Sequence, residues 1–314
     1  MSRISIILVC ILFTSVVFAQ GKMVAITIDD LPFVKIGSMT NRVLIGRTVN
    51  LLTALEKQHA PATGFVNLSK AYIDGNLDST RFNLLRLWLI KGFDLGNHTF
   101  SHPDYNRVSY SQFVNDIEKN EPLLNKILKE NKKILVYFRY PYLHRGNSKA
   151  KADSLAAYLK SKNYIEAPVT IDNAEWIFAA AYDSVLKTHD EALAAATGEQ
   201  YINYMELKLR YYEGQSEKLF GRNIRQILLI HANSLNSDYM DELLAMIVRN
   251  GYSFVNLVTA LEDKAYQTAD HYYKNGGISW LDRWAITQGK SRDFFAGEPV
   301  CPENIMKLAK VDSE

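Results

Sequence analysis

Cysteine, proline and glycine are all scarce: 2, 8 and 16 residues in a chain of 314. This scarcity excludes a disulfide-built scaffold, a collagen-like repeat and a Pro/Gly-rich disordered chain. Charge of one sign is also lacking. The 36 basic and 34 acidic residues leave a net charge of +2, so no nucleic-acid partner is expected. Beyond the first twenty residues no apolar run approaches the ~20 residues that a membrane-crossing helix needs. What the chain does have is core material. It is 47% hydrophobic, with 14 Phe, 18 Tyr and 4 Trp, enough for one barrel-sized domain or two ordinary ones.

The first nineteen residues read as a secretory signal peptide. Arg3 precedes an apolar run from Ile4 to Phe18, and Val17 and Ala19 are the small residues of a cleavage site. The competing reading is an uncleaved anchor, for which the run is short. Removing residues 1–19 takes away Arg3 and Cys10, so the charge falls from +2 to +1. Cys301 is then the last cysteine, and no intrachain disulfide can form. The mature protein is expected to be exported, periplasmic or secreted, without stable membrane insertion.

From residue 22 onward, short β-branched runs alternate with helical patterns. Strands are predicted at 24–28, 62–67, 93–97, 134–139, 164–171, 227–230 and 252–255. Helices are predicted at 41–58, 80–91, 109–130, 149–162 and 238–249, with a long, mostly helical stretch from 177 to about 222. This alternation implies a parallel sheet. Seven strands without a glycine-rich phosphate loop favour an α/β fold of the closed or nearly closed barrel type. In such barrels chemistry gathers at the C-terminal ends of the strands.

Polar residues stand at those ends. Asp29 and Asp30 follow the first strand, and His98 and His102 the third. Arg139 follows the fourth, Asp172 and Trp176 the fifth, and His231 the sixth. Two imidazoles and a carboxylate suit a divalent metal of zinc type with one position open for water. Pro103 biases His102 away from helical geometry, which places the histidine pair on a loop. A second carboxylate beside the ligand serves metal-assisted hydrolysis, since one binds while the other takes a proton. Adjacent residues on an extended chain point in opposite directions, so Asp29 and Asp30 cannot do identical jobs.

Taken in order, these residues resemble the motifs of the polysaccharide deacetylases, the NodB-type enzymes of carbohydrate esterase family four. The motif residues are Thr27 to Asp30, Asn97 to Pro103, Arg139-Tyr140-Pro141-Tyr142, Asp172 with Trp176, and Leu229-Ile230-His231. The likeness extends over roughly 22–262. It implies a distorted (β/α)7 barrel; the helices at about 177–222 make a span long for the family and read as an insertion, and 263–314 reads as a C-terminal extension packed on the barrel. The likeness also implies Asp30, His98 and His102 as ligands of a metal, zinc before cobalt or nickel. Asp29 would be the general base and Arg139 its ionic support. His231 would be the general acid, with Asp172 tuning it. Tyr140, Pro141, Tyr142, Trp176 and Leu229 would bind substrate, the last two around the acetyl methyl.

Three positions depart from the family pattern: Ile28 for Phe, Glu175 where Asp is commoner, and Ala232 where Asp is frequent. The implied activity is removal of N-acetyl groups from a glycan resembling peptidoglycan, chitin or exopolysaccharide. The alternatives are an O-deacetylase and a silent glycan-binding barrel. Of the remaining histidines, His144 is placed to line the cleft. The tail from 276 to 284 reads as a structural cap or a glycan grip.

Overall fold

The computed structural model describes residues 21–314. The proposed signal peptide lies outside the described residues. Seven strands form a curled, parallel sheet: β1 (Lys22–Leu31), β2 (Ala62–Val66), β3 (Asp94–Asn97), β4 (Tyr137–Phe138), β5 (Ile165–Glu166), β6 (Gln226–His231) and β7 (Tyr252–Phe254). Their order is β5-β4-β3-β2-β1-β6, with β7 pairing the first residues of β1. A small antiparallel hairpin, 72–73 with 76–77, lies apart.

The predicted elements form, with two strands shorter than the apolar pattern suggests. Only 137–138 of the run 134–139 and 165–166 of the run 164–171 join the ladder. The 165–171 segment nonetheless links the two edges of the sheet. Ala167 donates its N–H to Phe138 O at 2.8 Å, while Ile171 pairs with Leu228 on β6. The sheet thereby curls into the expected distorted barrel.

β1 is central because it is buried almost throughout. Val24, Ala25, Ile26 and Ile28 are all at or below 1% exposure, as a strand covered on both faces requires. Its register with β6 sets Asp29 opposite His231. Helices α1 (Asn41–Lys57), α2 (Ser79–Ile90), α3 (Tyr110–Glu130) and α4 (Lys149–Ser161) cover the outside, alternating with the strands. α3 begins with a capping box between Ser109 and Gln112.

The long helical stretch is two helices, α5 (Glu175–Leu186) and α6 (Glu191–Phe220). Asp190 caps the start of α6, and Gly221 ends it at φ 69°, a left-handed conformation that glycine adopts without strain. After α7 (Ser234–Arg249) and α8 (Leu257–Leu261), the chain adds α9 (Trp280–Thr287) and α10 (Glu303–Ala309). This last stretch packs inward: Trp280 and Trp284 are buried, and Trp280 donates its N–H to Val169 O at 2.7 Å. α10 lies against α5. Among the described residues no helix is long and apolar enough to cross a membrane.

Candidate active site

The strand ends surround one cavity of about 530 Å³. Asp29, Asp30, His98, His102, Tyr140, Tyr142, Asp172, Trp176, Leu229 and His231 all line it. Two further sequence-predicted residues do not. Arg139 lies beneath, fully buried, and its guanidinium reaches the cavity through Asp29. Pro141 is a correction to its expected contact with substrate: it is buried and starts the 3-10 turn Pro141–Leu143, which carries Tyr142 and Leu143 to the wall.

The backbone is unusual where these side chains meet. Asp30, Thr99, His102, Tyr142 and Leu143 all have φ between 56° and 69°, a region that non-glycine residues seldom occupy. Such conformations persist only where the surroundings over-determine them. Here buried amides do so. Asn67 donates to Thr99 O at 3.2 Å, Thr99 N–H donates to Asn97 Oδ1 at 2.8 Å, and Asn120 donates to the same oxygen at 2.9 Å. The histidine pair therefore sits on a braced loop, as Pro103 implies. At Asp30 the positive φ breaks the alternation of the strand. Both neighbouring carboxylates consequently line the cavity while keeping different partners.

Asp29 is 2% exposed and faces Arg139, whose Nη1 lies 3.3 Å from Oδ2. The guanidinium is fixed by Thr27 Oγ1 at 2.9 Å, Ala167 O at 2.7 Å and the face of Phe65. Burial pushes the Asp29 carboxyl up to about 6, against the pull of Arg139. Its carboxyl is thus ionised at neutral pH yet able to accept a proton.

Asp30 Oδ1 lies 3.6 Å from His102 Nε2 and 3.9 Å from His98 Nε2. Nδ1 of His98 is engaged by Arg139 O at 2.8 Å, which leaves Nε2 for the cavity. Burial opposes ionisation of Asp30, but Lys70 and His102 outweigh it and hold the carboxyl well below the usual range. The donor set fits a divalent cation. One ligand atom from each of Asp30, His98 and His102 lies within 4.8 Å of the others, and Asp30 Oδ1 is buried without a hydrogen-bond partner. An orphaned carboxylate oxygen facing two imidazole nitrogens is what a three-residue open site provides.

Beside the Asp30 and His231 side chains, sequence reasoning missed two residues. Lys70, on the turn after β2, places Nζ 3.1 Å from Asp30 Oδ2. Glu175 is the second and corrects the expectation for Asp172. His231 Nδ1 lies 2.7 Å from Glu175 Oε2, whereas no hydrogen bond joins His231 to Asp172 among the described residues. Glu175 is fully buried, and its other oxygen accepts from Asn233 and from Asn236, the latter at 2.7 Å. Burial disfavours the imidazolium of His231, but the hydrogen bond and charge of Glu175 raise it to about 9.

The reason is directional. Glu175 opens α5 beside the end of β6, while Asp172 accepts from Asn173 N–H and feels Lys208 on the other side. The signal was present as the Glu175 departure, three residues from the one chosen. His144 does line the cavity, with Nδ1 2.7 Å from Asp104 Oδ1.

Residues 18–160 match the family described as polysaccharide deacetylase. No curated protein matches the chain. Among solved structures, a mutant of BA3943 from Bacillus anthracis, a CE4 family pseudoenzyme with restored enzymatic activity, is 16% identical. That likeness spans 77% of this chain and 68% of the other, at a TM-score of 0.50. The peptidoglycan deacetylase PdaC from Bacillus subtilis is 21% identical over 79% of this chain and 93% of its own, at 0.48. The polysaccharide deacetylase Bc1974 from Bacillus cereus is 17% identical over 75% and 91%, at 0.49. At 16% identity the first of these likenesses is one of fold alone. The family match runs through the first three motifs, and the motif residues are assembled around one cavity, so over residues 18–160 the chain matches the polysaccharide deacetylase family.

Proposed function

We propose that this protein is an exported, metal-dependent hydrolase that removes N-acetyl groups from an acetylated glycan and releases acetate. The observation that carries this reading is the pairing of a buried carboxylate base and an imidazole acid across one cavity. Asp29 and His231 are register partners on β1 and β6, and the His–Asp cluster lies beside them.

A divalent cation held by Asp30, His98 and His102, zinc before cobalt or nickel, supplies positive charge that polarises an acetamide carbonyl and acidifies water beside it. Asp29, steadied by Arg139, takes a proton from the attacking water. The carbonyl carbon gains a bond to oxygen and loses its bond to nitrogen. His231 gives its proton to that departing nitrogen. An amine is a poor leaving group until protonated, and Glu175 keeps the imidazolium available up to about pH 9. An ester would ask much less of the acid, so this pairing favours an N-acetyl over an O-acetyl substrate. Leu229, Trp176, Tyr140 and Tyr142 line the same cavity, and in this reading the first two would receive the acetyl methyl and the two tyrosines would flank the sugar.

The test is acetate release from N-acetylglucosamine oligomers, with chelator and with zinc restored. Release that chelator stops and zinc revives is the expected result. No release with zinc demonstrably bound would overturn the N-deacetylase reading.

A further inference from the structure

We propose that a second cavity, adjoining the first, holds the sugar joined to the reacting unit, so that the protein acts on chains of two or more sugars and poorly on a single one. This rests on the deacetylase reading above and adds a neighbouring subsite with the residues that form it. The second cavity measures about 200 Å³. It shares Asp30, Trp176 and His231 with the first, and Lys35, Ala179, Ala180 and Asp183 are among its own lining. A ligand that occupies both cavities therefore lies against the acid and the carboxylate of the His–Asp cluster.

One wall follows from helical spacing. Trp176, Ala179, Ala180 and Asp183 stand at i, i+3, i+4 and i+7 along α5, and so share one face of it. Glu175, which opens the same helix, holds His231, so one element sets both the acid and this wall. The two alanines, with no side chain beyond Cβ, leave the hollow between the indole and the carboxylate. Ala179, Ala180 and Asp183 also fall in the helical span that is long for the family.

The other wall is the turn after β1, and it is fastened in place. Val34 N–H donates to Ala232 O at 2.7 Å, one residue past His231, and Phe33 and Ile36 are buried on either side. Lys35 O accepts from Ser38 N–H at 2.9 Å and from the Ser38 hydroxyl at 2.8 Å. These bonds hold Lys35 at φ 53°, where a non-glycine residue persists only if its surroundings require it. From there Nζ reaches Asp183 Oδ2 at 3.1 Å, which sets a donor and an acceptor together on the second cavity.

Indole, ammonium and carboxylate together suit a pyranose. Its C–H face packs on the Trp176 ring, which is 46% exposed, while its hydroxyls donate to Asp183 and accept from Lys35. A volume below the ~300 Å³ at which whole-ligand sites begin suits one ring of a larger ligand. The acyl group has its place elsewhere: Leu229, assigned above to the acetyl methyl, lines the first cavity and is absent from the lining of the second. A longer acyl chain would also set methylenes against the Lys35–Asp183 pair, which they cannot satisfy.

The test uses the zinc-loaded protein with N-acetylglucosamine and its oligomers from dimer to pentamer. From monomer to oligomer kcat/KM should rise at least tenfold. Lys35→Met and Asp183→Asn should each raise KM for the oligomers about tenfold with kcat little changed, the loss of one charge-assisted hydrogen bond. Ala180→Phe, which fills the hollow, should cost the oligomers more than the monomer. Zinc affinity, read by chelator competition, should stay the same in all three, which separates loss of the subsite from damage to the cluster. Equal kcat/KM for monomer and oligomers, or an oligomer KM that none of the variants moves, would overturn the proposal and leave the deacetylase reading intact. So would N-butanoylglucosamine hydrolysed as fast as the acetyl compound by the native protein and slowly by Ala180→Phe, since the cavity would then take the acyl chain. Acetate from none of the substrates would remove the deacetylase reading and this proposal with it. The length series on the unaltered protein decides the matter if the variants fail to fold.

Discussion

His231 and Glu175 meet at 2.7 Å, Nδ1 to Oε2, across 56 residues of chain. The contact joins the last residue of β6 to the first residue of α5. Because Asn233 and Asn236 occupy the other oxygen of Glu175, the carboxylate cannot rotate away without leaving buried amide donors unpaired. The imidazole is therefore oriented and held protonated by one buried group.

Glu175→Gln removes the negative charge that favours the imidazolium. The acid must be protonated to act, so activity falls as pH rises through its pKa, which stands at about 9 in the native protein. The variant's alkaline limb should move to lower pH, and kcat should drop by about 10²-fold. A pH profile of kcat/KM reads both effects. An alkaline limb that stays in place would remove Glu175 from this role.

Asp29→Asn and Asp30→Asn should separate two kinds of loss. In the proposed mechanism the first removes the base and should lower kcat by about 10²–10⁴-fold with metal binding retained. The second removes the orphaned oxygen from the His–Asp cluster, and metal affinity falls with activity. The base must be ionised, so activity rises with pH through the Asp29 pKa. Burial sets that value at about 6, and a cation beside it lowers it further. The acid limb should accordingly lie at or below about pH 6. Competition with a chromophoric chelator, alongside the rate profile, distinguishes the two variants.

Lys70→Met should tighten metal binding. Its ammonium sits 3.1 Å from Asp30 Oδ2, inside the field a divalent cation would occupy, and like charges at that range repel. Removing it should lower the Kd for zinc by about tenfold, a difference of about 1.4 kcal/mol. Lys70→Arg keeps the charge and should bind zinc as the native protein does. Weaker binding in Lys70→Met would show that the lysine chiefly orients Asp30.

The barrel and most of the site were legible because both follow from local patterns. The buried run ending at Asp29-Asp30 and the loop ending at Pro103 each show a strand end and its polar load in consecutive residues. Asp172 and Glu175 lie three positions apart, and only the start of α5 decides which of them turns toward β6. Lys70 carries no spacing signal, since its meeting with Asp30 depends on the β1–β2 register and the turn that follows. Glu298 and Glu314 reach the cavity through contacts with α6 made some ninety residues or more along the chain, beyond any periodicity in the sequence.

Gly277→Ala tests how closely the C-terminal stretch is seated on the cavity wall. A Cβ at 277 would lie 1.8 Å from Tyr142 O and 2.9 Å from Tyr142 C, both backbone atoms that no rotamer change can move. Either the turn carrying Tyr142 or the segment around Gly277 must shift, and such overpacking costs about 1–3 kcal/mol. Gly214, in α6, has nothing within 4 Å of its Cβ position, so Gly214→Ala should stabilise the helix by up to about 1 kcal/mol. Thermal unfolding should therefore move in opposite directions for the two variants. For Gly277→Ala the KM for oligomer should also rise, because Tyr142 and His144 line the cavity on the face that must yield. A neutral Gly277→Ala in both measurements would mean that the stretch does not bear on the wall.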